Sequence, residues 1–217
     1  AQTRARLQFI DSGPAIDKVK AIGERLTPDT RHHYQWFVAE SPEINAFAAP
    51  GGVVVVFSGL IRATASPEEL AGVLAHEVSH AELRHSLKGA VKNLGLRSLM
   101  LLAMGDLSAG LLGDLAAGLT EMKFSRDAER EADREAVKRL AKAHIDPNAM
   151  VTFFELLERE NRPTPPAILS THPATRERID TVRREISLMP RPAPRPLAMN
   201  WQAVKDSLPA EKMAKSP

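Results

Sequence analysis

The sequence predicts an α+β fold, mainly helical, with a small three-stranded sheet or hairpin beside one central buried helix. Three observations point there. Apolar residues recur at helical spacing over most of the chain, three short β-like runs cluster between residues 34 and 58, and a nearly continuous apolar helix follows them. At 217 residues with 43% apolar content the chain can bury a core of its own, and we expect a single domain over residues 1–187 followed by a proline-rich extension over 188–217.

In chain order, Ile16, Val19, Ile22 and Leu26 follow Gly13-Pro14 at helical intervals, which predicts a first amphipathic helix over residues 14–26. Tyr34 to Val38 reads as a strand. Ile44 to Ala48 and Val53 to Ser58 are two more β-like runs, and Ala49-Pro50-Gly51-Gly52 between them is a turn signal that makes them a hairpin. Ser66-Pro67-Glu68-Glu69 has the capping-box pattern with proline at the first helical position, so the central helix starts there. Residues 94–119 form the most apolar long stretch, but Arg97, Asp106 and Asp114 interrupt it, whereas a membrane span needs about 20 mainly apolar residues. A core helical hairpin, a flap and a membrane-surface element all fit that segment.

Further on, residues 125–142 are strongly helical. Pro163, Pro165 and Pro166 mark a loop, and His172-Pro173 opens a last amphipathic helix bearing Ile179, Val182 and Ile186. Met189 to Pro196 favours polyproline II, and Trp201, Val204 and Leu208 then define one short helical face.

Composition narrows the function. A net charge of +2, scattered along the chain, is too slight to predict nucleic-acid binding. There is no cysteine, so a disulfide framework and a thiolate metal site are both excluded. No basic segment followed by an apolar run opens the numbered sequence, and we expect any upstream signal or anchor to have been removed.

The chemistry concentrates at His76-Glu77-Val78-Ser79-His80. Residues four apart stack on one helix face, so both imidazoles reach a single ion, while Glu77, turned by about 100° from His76, can hold water beside them. From Leu70 to Ala81 only His76, Glu77, Ser79 and His80 carry polar side chains, and burying them without partners would be costly; a metal ion supplies those partners. A third histidine in the HExxHxxGxxH pattern is absent, since Leu83 and Ser86 occupy the glycine and histidine positions. His85, five residues after His80 and about 140° round a continuing helix, reads as a surface histidine.

The third ligand must then come from elsewhere. In the 125–142 helix, Ala132, Ala136, Val137 and Leu140 define the core face, and Glu129 and Asp133 fall on it; Glu131, Arg134, Glu135 and Lys138 fall on the solvated side. Core-facing carboxylates need a compensating cation or donor. Glu129 fits as a zinc ligand, and Asp133, one turn on, can accept the free ring N–H of a ligand histidine.

These motifs resemble peptidase family M48, zinc metallopeptidases of the gluzincin type. Asn45-Ala46-Phe47-Ala48-Ala49-Pro50-Gly51-Gly52 is similar to that family's NAFxxPGG segment, Leu74 to His80 to its LAHExxH helix, Glu129 to Asp133 to its ExxAD ligand motif, and His172-Pro173 with Arg178 to its late HPxxxxR element. The resemblance runs from about residue 40 to 186 and implies a zincin-like fold. It implies that His172 and Arg178 lie near the metal, where either can stabilise an oxyanion, and that His172 can instead approach the metal and block it.

Together these readings predict one zinc ion per chain on His76, His80 and Glu129, with a fourth position left for water and Glu77 as general base. An extended protein or peptide substrate would lie along the hairpin strand against Asn45 and Ala46. We expect a zinc-dependent endopeptidase of extended or unfolded segments, in a bacterial cell envelope, periplasmic or membrane-associated, with membrane-surface contact through residues 94–119 and oligomerisation both left open. The alternative is a latent or inactive zinc-bound chaperone-like module.

Overall fold

The fold was analysed in a computed structural model, which describes residues 7–85, 87, 100, 104, 108, 110, 112, 118, 123–159, 166–173, 176–190 and 193–210. The expected hairpin, flap or membrane-surface element over 94–119 lies outside the described residues apart from isolated positions, as do Pro163 and Pro165. In chain order the elements are α1 (Pro14–Leu26), β1 (Gln35–Ala39), β2 (Ala46–Ala49), β3 (Val53–Phe57), α2 (Ser58–Ala63), α3 (Pro67–Glu82), α4 (Arg126–Lys142), α5 (Asn148–Arg159), α6 (Ala167–Thr171), α7 (Arg176–Leu188) and α8 (Trp201–Asp206). This is the α+β, mainly helical class that the sequence predicts.

The sheet order is β1-β3-β2. β2 and β3 form the expected antiparallel hairpin, Ala46 opposite Val56 and Ala49 opposite Val53, turned by Gly51 and Gly52, which share a positive φ of 89° that a side chain would resist. β1 joins parallel to β3. Short of β1's outer edge, Phe9 bridges Ala39, a pairing that the sequence does not announce. β3 is the middle strand and every residue of Val53–Phe57 is buried, so its pleat feeds two cores: Val54 and Val56 face the main helical core, while Val53, Val55 and Phe57 pack with Phe47 and Leu112 on the other side.

Helix α3 runs through the main core. Its cap is a capping box with one change: Ser66 Oγ accepts from Glu69 N–H at 3.2 Å, and Glu69 Oε2 accepts from Ala65 N–H at 2.7 Å, one residue upstream of the usual partner. Residues 69–81 are all buried, against β2, α1, α4 and α5. Gly72 lets α5 approach closely, since a Cβ there would sit 2.9 Å from Met150 Cγ and 3.2 Å from Met150 N. After α7 the chain returns along the domain: Leu197, Trp201, Val204 and Leu208 enter the same core, Trp201 Nε1 donates to Thr64 O at 3.2 Å, and Leu197 N donates to Glu68 Oε1 at 2.7 Å.

Packing of α1 on β1 supplies a test. A Cβ on Gly23 would lie 2.1 Å from Trp36 Cε2. Alanine gains up to about 1 kcal/mol of helix propensity over glycine, whereas overpacking a core costs about 1 to 3 kcal/mol, and a contact this close belongs at the upper end. Gly23→Ala should therefore lower the unfolding free energy measured by urea titration by a net ~1 to 2 kcal/mol; an unchanged or raised midpoint contradicts the packing described.

Candidate metal centre

Four elements meet at one buried point. α3 contributes His76, Glu77 and His80, α4 contributes Glu129 and Asp133, the turn after α6 contributes His172, and α7 contributes Arg178; none is more than 5% exposed. The sequence-predicted ligands and their neighbours are thus brought together. One ligand atom each from His76, His80, Glu129 and His172 lies within 4.8 Å of the other three.

The spacing of those atoms fits a small cation. His76 Nε2 is 3.0 Å from His80 Nε2 and 3.2 Å from His172 Nδ1, and Glu129 oxygens lie 3.4 Å from His76 Nε2, 3.4 Å from His80 Nε2 and 3.0 Å from His172 Nδ1. A tetrahedron with bonds of about 2.0 to 2.1 Å has edges of about 3.3 Å. The partner on the far side of the His76 ring says which face carries a lone pair. His76 Nδ1 lies 2.9 Å from Asp133 Oδ1, a charge that favours the ring proton on that outer nitrogen and leaves Nε2 inward, whereas His172 has a carboxylate at each nitrogen, Glu129 Oε1 at 3.0 Å from Nδ1 and Glu77 Oε1 at 3.4 Å from Nε2. Electron pairs converging from nitrogen and carboxylate onto one buried spot repel one another unless a cation stands between them, so the residues present fit a zinc ion.

Arg178 holds the carboxylates. Its Nε and Nη2 form a forked pair with Asp133, each at 2.8 Å, Nη1 reaches Glu129 Oε2 at 2.7 Å and donates to Pro173 O at 3.0 Å, and the guanidinium lies 5.0 Å from the Phe154 ring centre. Burial opposes charge on Asp133, but the bonds from Arg178 and His76 outweigh it and hold its carboxyl below the usual range. Burial likewise opposes charge on Glu129, and His172, His76 and His80 together keep it well below. Glu77 behaves differently. Desolvation pushes its carboxyl up, against His172, His76 and an N–H from the Ala48 backbone of β2. Burial drives His80 well below its usual value, whereas on His76 the same burial is overcome by Asp133 and Glu129, which lift it to about 9.

Two placements differ from the sequence reading. His85 is not a surface histidine: α3 ends at Glu82, Leu83 caps it, and Arg84 takes a left-handed φ of 61°, which turns the chain and lays His85 against His80 with Nδ1 to Nδ1 at 3.1 Å. The 140° displacement assumed a helix that continues. A non-glycine residue in that region costs about 1 to 3 kcal/mol, held here by surrounding structure. His172 does not open α7; it is the C-cap of α6, its N–H donating to Ile168 O at 2.8 Å. Asn45 and Ala46 are each 1% exposed, and Asn45 Oδ1 accepts from Ala46 N–H at 3.0 Å, leaving Asn45 Nδ2 as a buried donor without a partner. Phe124 has no sequence signature, yet it stacks on His80 at 4.0 Å and on His172 at 5.0 Å.

Comparison with known proteins agrees with this geometry. Residues 17–186 match the family described as peptidase family M48. The β-barrel assembly-enhancing protease of Escherichia coli (strain K12) is 33% identical over 205 residues, 87% of this chain and 42% of that protein. The mitochondrial metalloendopeptidase OMA1 of Arabidopsis thaliana is 36% identical over 145 residues, 67% of this chain and 30% of that protein. The metalloprotease YcaL of Escherichia coli (strain K12) is 32% identical over 182 residues, 81% of this chain and 70% of that protein. The chain thus spans less than half the length of the assembly-enhancing proteases it matches.

The raised His76 value gives a pH test with a definite sign. Its folded pKa of about 9 exceeds an unfolded value of 6.5, so its stabilising contribution is complete below pH 6.5 and is lost as pH rises through about 9. Calorimetry on chelator-treated protein should show a melting temperature that falls over this window, with the slope reduced in His76→Gln. Zinc competes with that proton, so stabilisation by added zinc should grow over the same window; a zinc effect independent of pH contradicts the assignment.

Proposed function

Because the chain belongs to peptidase family M48, we propose that it is a zinc-dependent metalloendopeptidase acting on extended or unfolded protein segments. The observation that supports this most is the convergence of His76 Nε2, His80 Nε2 and a Glu129 oxygen, with the Glu77 carboxylate on the neighbouring face of the same helix. Zinc, when bound there, supplies Lewis-acid polarisation of the scissile carbonyl and of the attacking water.

The remaining work falls to the chain's own side chains. Glu77, its proton affinity raised by burial, takes a proton from the attacking water and returns it to the leaving amine. Asp133 holds the His76 ring through Nδ1, and Arg178 holds Asp133 and Glu129. With the Arg178 guanidinium engaged by carboxylates and Pro173 O, oxyanion contact falls to His172. β2 is an edge strand of the described sheet, and its Ala48 N–H reaches Glu77, so a peptide added alongside β2 lies across the site. Backbone pairing reads little side-chain identity, which favours unfolded or flexible protein or peptide substrates over a fixed sequence. Asn45 and Ala46 at the start of that strand, with the Asn45 amide still holding a spare donor, support its ends.

A second reading is favoured by one observation, His172 Nδ1 within the ligand quartet. In that state the fourth position is capped and the protein is latent, a zinc-bound module that holds clients without cutting them. A cell-envelope location is part of the proposal, supported by relatives named for β-barrel assembly. Among the described residues no helix is long and apolar enough to cross a membrane.

Zinc-loaded protein should cleave casein, and chelation should abolish cleavage. Glu77→Gln should retain zinc and lose about 10²- to 10⁴-fold in rate; full zinc occupancy without cleavage in wild type replaces the peptidase reading with the binding module. His172→Ala separates the two roles of that residue: faster cleavage identifies a cap, and a loss of about 10²- to 10³-fold identifies an oxyanion donor.

A further inference from the structure

We propose that His85, hydrogen-bonded to His80 and oriented by the charge of Glu131, is a positioning residue for the metal ligand His80, a relay that fixes which His80 nitrogen faces the metal. The inference rests on the metal reading of the site, and it concerns a residue outside the ligand set.

The argument is one of proton placement. His85 Nδ1 and His80 Nδ1 are 3.1 Å apart, and two ring nitrogens at that distance form a bond only if one donates and the other accepts. His85 Nε2 lies at ion-pair distance, 3.4 Å, from Glu131 Oε2, and the negative charge there favours the His85 proton on Nε2, with Nδ1 as the acceptor toward His80. His80 must then donate from Nδ1, which leaves its Nε2 bare toward the cluster. This is the tautomer a metal needs.

The two ligand histidines are therefore held by different chemistry. His76 leans on the buried Asp133 carboxylate, whereas His80, whose burial disfavours any charge, leans on a neutral imidazole whose own partner is a half-exposed carboxylate, 60% exposed at its side chain. Backbone geometry supports a dedicated role. Arg84 adopts its left-handed φ of 61° directly after α3, and that turn is what carries His85 back over His80. Phe124 stacks on the His80 ring at 4.0 Å, so the ring plane is held by packing, and His85, which meets the ring edge, supplies the remaining constraint, the position of the proton.

The test separates proton placement from packing. Zinc affinity is measured by competition with a chelating dye for wild type, His85→Phe, which keeps an aromatic ring and removes the acceptor, and His85→Asn, which puts an amide oxygen where Nδ1 stood. We expect His85→Phe to bind zinc about 10- to 100-fold more weakly, and His85→Asn to stay within a few-fold of wild type. Equal affinity in His85→Phe and wild type overturns the proposal, as does an equal loss in both variants. Glu131→Ala, a change on the exposed side of α4 that leaves the core untouched, covers the case in which a His85 variant fails to fold: a several-fold loss of zinc affinity supports the relay, and none overturns it. Zinc binding without casein cleavage in wild type sinks the peptidase reading and leaves this test intact, whereas no zinc binding in wild type overturns both.

Discussion

The forked bond between Arg178 and Asp133 is the constraint on which the rest of the site depends. Two carboxylates from α4 and a guanidinium from α7 are buried together, and Asp133 passes that order on to His76. Removing one partner of such a pair costs about 3 to 5 kcal/mol, yet replacing the whole group with well-packed apolar residues is often neutral or better. Stability therefore does not explain it. What an apolar replacement cannot do is keep Glu129 ionised with its oxygens aimed at His76 and His80, and this arrangement does so by giving the carboxylate a permanent positive neighbour.

Charge balance explains the contrast between the two glutamates of the site. Glu129 sits among three histidines and an arginine and is held ionised, while on Glu77, the residue next to His76, desolvation outweighs the pull of His172, His76 and one strand amide. The same amino acid is thereby held in two states by surroundings alone, ionised in one place and drawn toward its neutral form in the other. Secondary structure makes the separation: adjacent residues on a helix point about 100° apart, so His76 faces α4 while Glu77 faces β2.

Much of this was readable from residue patterns because its causes are local. The capping run before α3, the periodicity of α1 and α4, and the turn glycines between β2 and β3 act within a few residues, and the core-facing pair Glu129 and Asp133 followed from helix periodicity alone. The motif resemblance implies that His172 and Arg178 lie near this site, and the structure brings both against Glu129. What escaped was non-local or set by a single dihedral. Parallel pairing of β1 with β3 depends on the path of the intervening hairpin, and His85 was misplaced because one left-handed residue, Arg84, ends the helical arithmetic on which its position was calculated. Phe124 stands outside any motif, and its stacking on His80 and His172 exists only once α4 has docked on α3.

The tail of the chain has a mechanical consequence. Leu197 N–H is tied to Glu68 in the first turn of α3, and Trp201 to the carbonyl of Thr64 just ahead of it, so the last described segment is latched onto the leading end of the helix that carries His76, Glu77 and His80. Tension applied beyond Leu208 would load the contact of Arg62 with Pro209 O first, then these two latches and the α3 cap at Ser66, making the C-terminal arm a lever on the helix that carries the site.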